Sequence, residues 1–256
     1  MRRPGLRIPG LKRLDLAPVI VIVLVVAGWH FSVTRSDFVS DTLAPPGAVF
    51  IELGRLILDG EILRAAVATL LSTLLGLCLG AGLGVVVGIM AGISRPIAMA
   101  IRAPVELLRP LPAIALVPFM TIAFGLGLPM EVYVIAFAVF WPAIVLAQSA
   151  VYQVERQLLE VADALELGRV DRVVKIILPA IVPRLVVMLR FTAAIALLIA
   201  VTVELVSNPR GLGNEMMLAA EAFAPARMLA YLVVITLMGW MLNWMLVKAE
   251  RRFGRA

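Results

Sequence analysis

Between Glu155 and Arg184 an otherwise apolar chain gathers the side chains able to make directed ionic contacts: Glu155, Arg156, Glu160, Asp163, Glu166, Arg169, Asp171, Arg172, Lys175 and Arg184. Uncharged runs flank this island, from Val132 to Val154 and, interrupted only by Arg190, from Leu185 to Val203. Hydrocarbon excludes so many ions, so the island lies in water or against another protein. Its residues suit docking better than bond-making. Asp37, Asp41, Asp163 and Asp171 fall on expected loops, without the paired histidines or clustered carboxylates of a metal centre. No nucleophile has a base at useful spacing. Cys78 and His30 are single residues, the first a small packing residue inside an apolar run and the second an interfacial ring. No Gly-x-x-x-x-Gly-Lys-Ser/Thr phosphate cradle occurs. A chain that catalyses nothing, with no cofactor or metal of its own, is expected.

The elements that carry the island follow from composition. The sequence is 62% hydrophobic and 16% charged, with mean hydropathy +1.03, beyond the range of soluble domains. A helical crossing needs about 20 apolar residues. Six windows qualify: Leu16–Thr34, Ala65–Ser94, Pro110–Met130, Val132–Val154, Leu185–Val203 and Met228–Val247. One all-α membrane domain of about six transmembrane helices is expected. The basic start resembles a secretory leader, but bulky Gly28-Trp29-His30-Phe31 replaces a small-x-small cleavage site, so the first helix is expected to be retained.

Positive charge sets the orientation. Eighteen of the 23 Lys and Arg residues fall on one side of a six-span arrangement; Arg35, Arg55, Arg64, Arg210 and Arg227 fall on the other. Both termini and the island are therefore expected in the cytoplasm. The net charge of +6 reflects that topology and gives no reason to invoke nucleic acid. Residues 1–15 form a basic cytoplasmic start, 16–34 the first helix, 35–61 an outer loop, 62–247 a five-helix core containing the cytoplasmic loop 155–184, and 248–256 a basic tail.

Within these bounds the local patterns are specific. After Pro45-Pro46-Gly47, apolar residues at Val49, Phe50, Leu53, Leu56 and Ile57 predict an amphipathic helix on the outer surface. Gly76, Gly80, Gly84, Gly88 and Gly92 recur every fourth residue, an interval at which small residues let helices approach closely in lipid. Four residues turn a helix by about 400°, so the row drifts and a crossing partner is expected to touch about three glycines. Pro112 and Pro118 break the third window, making it a candidate pore lining with Arg109 at its start. Arg190 either favours an anion on its path or snorkels to the interface. Glu131 separates two windows and Glu204 ends the fifth, so span interiors lack the carboxylates of an ion-coupled carrier.

In the island, Leu158, Leu159, Val161, Ala162 and Leu165 oppose Glu160, Asp163 and Glu166. Gly168 breaks the helix, and Val170, Val173, Val174 and Ile177 then repeat at helical spacing. Two short amphipathic helices at an angle are expected, with Pro179 and Pro183 restarting the chain before the fifth span.

Glu160-Val161-Ala162 followed by Ile177-Leu178-Pro179 resembles the Glu-Ala-Ala … Leu-Pro signature of the transmembrane subunits of binding-protein-dependent ABC importers. Pro45-Pro46, Leu108-Arg109-Pro110-Leu111-Pro112, Phe124-Gly125-Leu126-Gly127, and Glu204 ahead of Gly211-Leu212-Gly213 resemble its nitrate, sulfonate and taurine branch, from about Pro45 to the C-terminus. The resemblance implies a type I importer permease in a bacterial inner membrane. It also implies a second permease copy, a cytoplasmic ATPase dimer that binds ATP and Mg, and a periplasmic or lipid-anchored solute-binding protein. Glu160, Ala162, Leu165, Gly168, Arg169, Arg172, Leu178 and Pro179 would couple to the ATPase. Arg109, Pro112, Pro118, Arg190 and Glu204 are candidate pathway residues. Small oxyanions or organic anions, or pyrimidine-type vitamin precursors, are the implied solutes. One departure stands out: where the family usually has glycine six residues after the signature glutamate, this chain has Glu166, and Gly168 follows two residues later.

Overall fold

A computed structural model describes residues 16–35 and 44–253; the basic residues before Leu16, and Asp37 and Asp41, lie outside them. Among the described residues every regular element is helical: α1 (Leu16–Arg35), α2 (Pro46–Leu58), α3 (Glu61–Ile93), α4 (Arg95–Leu108), a 3₁₀ turn (Ala113–Leu116), α5 (Val117–Phe124), α6 (Leu128–Tyr152), α7 (Arg156–Ala164), α8 (Arg169–Arg172), a π turn (Val173–Ile177), α9 (Leu178–Val206), α10 (Leu212–Glu221) and α11 (Pro225–Phe253). Four continuous helices among the described residues are long and apolar enough to cross a membrane: Glu61–Ile93, Leu128–Tyr152, Arg169–Val206 and Pro225–Arg251. The first expected window is α1.

The glycine row decides the centre of the bundle. A Cβ at Gly76 would lie 2.5 Å from that of Ile135, one at Gly84 2.6 Å from that of Ala143, one at Gly88 2.8 Å from that of Ala147, and one at Gly92 2.5 Å from that of Val151; one at Gly80 would strike the Ala136 backbone. All five glycines therefore meet α6, where the sequence led us to expect three. The drift assumed a straight helix. A repeat longer than 3.6 residues stays in contact if the two helices wind about each other, and every four-residue advance on α3 is matched by four on α6.

That register makes α3 and α6 parallel, so the chain between them must return to its starting end. It does so through a broken segment, which corrects the expectation of one kinked span over Pro110–Met130. α4 and the Ala113–Phe124 segment meet at 87°, and Gly125 and Gly127, with φ of +76° and +120°, turn the chain into α6. The bend falls at Arg109–Pro112, because prolines at 110 and 112 remove the backbone donors on either side of Leu111.

α9 runs antiparallel to α6. Ile177 and Ile181 pack with Ala150, Val151 and Val154 at one end, and Val203 packs with Met130 and Val134 at the other. Between them, Leu77, Ala81, Ile135, Val139, Ala143, Ala147, Ala193 and Ala196 form the central core. α2 packs through Val49 and Leu56 into a cluster with Leu212, Ala230 and Tyr231, whereas Phe50 and Ile57 are exposed. The last helix continues to Phe253, so the expected tail is helical where described.

Candidate functional site

The island sits at the end of the bundle where α6 finishes and α9 begins. α7 ends in a Schellman arrangement: Leu167 N donates to Ala162 O at 3.1 Å and Glu166 N to Asp163 O at 3.0 Å. The residue that takes the left-handed conformation is Glu166, with φ of 54°. Gly168 has an ordinary φ of −62° and precedes α8. The turn is thus made at the position where the family's glycine would stand, and Gly168 is not the helix breaker.

Nor is there a second separate amphipathic helix. Arg169–Val206 is one continuous helix of 38 residues, with a π turn at Val173–Ile177. Proline cannot supply the hydrogen bond of an α-helix interior. Pro179 would owe that bond to the carbonyl of Lys175, and a π turn redirects such carbonyls to the fifth residue on. Pro179 therefore falls in the first turn of α9, and Pro183 lies inside it.

Packing divides the apolar face of the island. Ala162 is fully buried, and Leu159 and Val173 pack toward Ile177 and Ile181. Leu158, Val161, Leu165, Val170 and Val174 are exposed, the last three at 62%, 75% and 54%. Glu160 and Arg169 also face out. Arg172 does not: its guanidinium donates to Asp163 and reaches the Leu159 carbonyl at 3.4 Å. Lys175 pairs with Asp171 at 3.0 Å. Leu178 is at the margin of exposure and Pro179 is exposed. The result is a rigid knob with an apolar tip ringed by charge.

The candidate pathway residues are scattered. Arg109 is exposed at the end of α4 and lines a groove of about 430 Å³ with Arg95, Arg102, Glu106, Gln148 and Tyr152. Pro112 precedes the 3₁₀ turn, and Pro118 lies in the first turn of α5 rather than kinking it. Arg190 donates to Asn243 Oδ1 at 2.8 Å and lies 3.6 Å from Glu250, so it ties α9 to α11. Glu204 is buried within α9, at 2% exposure, and accepts from Gly213 N at 2.9 Å.

Glu204 has a neighbour that the sequence concealed. Glu131, in the first turn of α6 and also 2% exposed, lies in reach of Glu204 and Ser72 and accepts from the amide of Asn208. Each carboxylate adjoins a Gly/Pro-rich turn, Gly125-Leu126-Gly127-Leu128-Pro129 or Asn208-Pro209-Arg210-Gly211. That was the available signal.

Comparison with known proteins places these features. Residues 84–255 match the family described as "Binding-protein-dependent transport system inner membrane component". The chain is 28% identical over 252 residues to a putative aliphatic sulfonates transport permease protein, SsuC, of Bacillus subtilis (strain 168), covering 98% of this chain and 90% of that one. It is 31% identical over 148 residues to the taurine transport system permease protein TauC of Escherichia coli (strain K12), covering 58% of this chain and about half of that relative, 54%. It is 27% identical over 138 residues to the nitrate import permease protein NrtB of Leptolyngbya laminosa, covering 54% of this chain and 50% of that relative. Among solved structures, a chain of the MetNI methionine ABC transporter superposes with TM-score 0.69 at 19% identity, over 75% of this chain and 95% of that one. A chain of an amino acid ABC transporter gives 0.62 at 16%, over 78% and 97%. The fold is all-α and is that of type I ABC importer permeases.

Proposed function

The chain belongs to the binding-protein-dependent transport system inner membrane components, and from that membership we infer that it is the non-catalytic, pathway-forming subunit of an ATP-driven importer. Two copies enclose the path, an ATPase dimer that holds ATP and Mg seats the knob at 156–175 on the cytoplasmic side, and an external binding protein delivers solute at the opposite end. Both termini are cytoplasmic. The observation that carries this reading is the exposed apolar tip Leu165, Val170 and Val174, surrounded by charge, on a segment continuous with a membrane-spanning helix. An apolar tip in a groove supplies burial energy, and ringed charge sets register.

The geometry supports a route for mechanical work. α8 is joined to α9 without a break, so a push on the knob moves α9 as a lever. α9 carries α11 with it through Arg190 and Asn243, and its far end holds α10 through Glu204 and Gly213. Closure of the ATPases then changes the opposite mouth of the path. Each nucleotide state biases the transporter only through its preference for one of two arrangements. The solute carries a small oxyanion group of the sulfonate, taurine or nitrate kind, the chemistry common to the solutes that the relatives' descriptions name.

The test is reconstitution of the chain with its ATPase and binding protein in vesicles, measuring ATP-dependent uptake of taurine, an alkanesulfonate and nitrate. Leu165→Asp with Val170→Asp, or Arg169→Glu alone, is expected to weaken ATPase co-purification and leave insertion intact. Uptake that survives without the ATPase and collapses with the proton gradient overturns the proposal. So does labelling of a Gly168→Cys variant from outside intact cells.

A further inference from the structure

At the end of the bundle opposite the knob, five elements converge on a polar cluster with no basic side chain in it. Glu131 comes from α6, Glu204 from α9, Thr69 and Ser72 from α3, Asn208 from the turn after α9, and the Leu212 and Gly213 amides from α10. Glu131 and Glu204 are each 2% exposed and Asn208 is 4% exposed. Among the described residues, no Lys, Arg or His forms an ion pair with either carboxylate.

The cluster is half satisfied, and the unsatisfied half is all acceptor. Glu204 Oε2 takes the Gly213 amide and Glu131 Oε2 takes the Asn208 amide. Thr69 Oγ1 accepts from Leu212 N at 2.9 Å and donates to Ala65 O at 3.2 Å, and Ser72 donates to Thr69 O at 3.0 Å. Three buried oxygens have no hydrogen-bond partner: Glu131 Oε1, Glu204 Oε1 and Asn208 Oδ1. Two adjacent buried carboxylates repel each other, and burial leaves their charge uncompensated. The Ser72 and Thr69 hydroxyls lie beside the carboxylates but are turned to the Thr69 and Ala65 carbonyls, which leaves the three oxygens without a donor.

We propose that Glu131, Glu204 and Asn208 hold a hard, oxygen-seeking cation, Na⁺ or Ca²⁺, that locks α6 to α9 beneath α10. The donor set is two carboxylate oxygens and an amide oxygen, with hydroxyls alongside, which is the ligand chemistry of hard cations. Ca²⁺ would balance both carboxylates and Na⁺ one of them, and either ion takes lone pairs from oxygens that no protein donor meets. A cavity of about 350 Å³ lies beside the turn that carries the cluster, and its wall includes Pro209 and Gly211. Gly211 has φ of +104° and no room for a Cβ, which would strike the Glu204 carboxylate. Arg64, Arg210 and Arg227 line that cavity with Glu61 and Glu215, so the attraction for the ion comes from the buried pair and not from the mouth. Because α10 hangs on Glu204, the cation sets the stiffness of this mouth whatever solute crosses it.

The experiment is thermal unfolding of the purified full-length protein in detergent, after long equilibration in choline chloride, NaCl, KCl or CaCl₂ at one ionic strength and pH. Near-saturating cation is expected to raise Tm by roughly 5 °C over choline. A rise with Na⁺ alone assigns the monovalent ion, and a rise with micromolar Ca²⁺ assigns the divalent one. Glu131→Gln is expected to lose most of the shift. Glu131→Lys, which brings its own positive charge to Glu204, is expected to abolish the shift and retain the fold. Retention of ²²Na or ⁴⁵Ca by wild type and not by Glu131→Gln gives the second readout. Equal Tm in every salt, the same shift in Glu131→Gln, or stability that follows pH alone overturns the proposal, the last by assigning the pair a shared proton.

Discussion

Arg172 reaches back nine residues to Asp163 and also contacts the carbonyl of Leu159, so the end of α8 is clasped to the body of α7. The left-handed turn at Glu166 lies inside that clasp. Arg172 is therefore a positioning residue of the knob, whereas Arg169, exposed three residues earlier, is free to meet another surface.

Arg172→Ala should loosen the knob. A partly exposed ion pair contributes up to about 1 kcal/mol, so hydrogen exchange over residues 159–167 should quicken by roughly five-fold. Arg169→Ala should leave that exchange unchanged and reduce ATPase co-purification. Equal exchange in the two variants would remove the distinction between a clasp and a contact.

Glu166→Gly should stabilise the turn. A side chain in the left-handed region costs about 1 kcal/mol, which glycine does not incur, although glycine's freedom in the unfolded chain offsets part of the gain. The expected outcome is slower exchange at the Leu165, Glu166 and Leu167 amides. Glu166→Val should do the reverse, and Gly168→Ala should be nearly silent because its φ is ordinary.

The α3–α6 seam predicts a contrast between neighbours. A Cβ at Gly84 would lie 2.6 Å from Ala143 Cβ and 2.7 Å from Phe140 O, whereas nothing lies within 4 Å of one at Gly82. Overpacking costs about 1–3 kcal/mol, so Gly84→Leu should lower Tm by roughly 3–10 °C. Gly82→Leu should leave it nearly unchanged. Thermal unfolding of both variants in detergent decides.

Arg190→Ala should affect the α9–α11 contact more than solute choice. The guanidinium is partly exposed, so its bond to Asn243 is worth about 1 kcal/mol. Asn243→Ala should cost a similar amount, and the double variant little more than either alone. A change in selectivity between anionic and neutral solutes would instead return Arg190 to the pathway.

The sequence by itself determined the solvent of this protein and most of its helices. Apolar runs of about 20 residues have one stable solution in lipid, a helix that satisfies its own backbone, and α3, α6, α9 and α11 follow from that rule. The charged island and its signature were legible for the same reason, since charge cannot hide in hydrocarbon. The sequence misled wherever proline was read as a stop. At Pro179 and Pro183 a π turn and continuing tertiary contact kept the helix going, while at Arg109–Pro112 the chain bends by 87°, so the expected span over Pro110–Met130 is only the second arm of a pair whose first arm, α4, lies between two expected windows. Only the tertiary structure brought Glu131 beside Glu204, 73 positions along the chain, because their meeting depends on the antiparallel register of α6 and α9. It also gave the left-handed turn to Glu166 over Gly168, since the length of α7 and the grip of Arg172 fix where the helix must end, and the residue there adopts the conformation that remains.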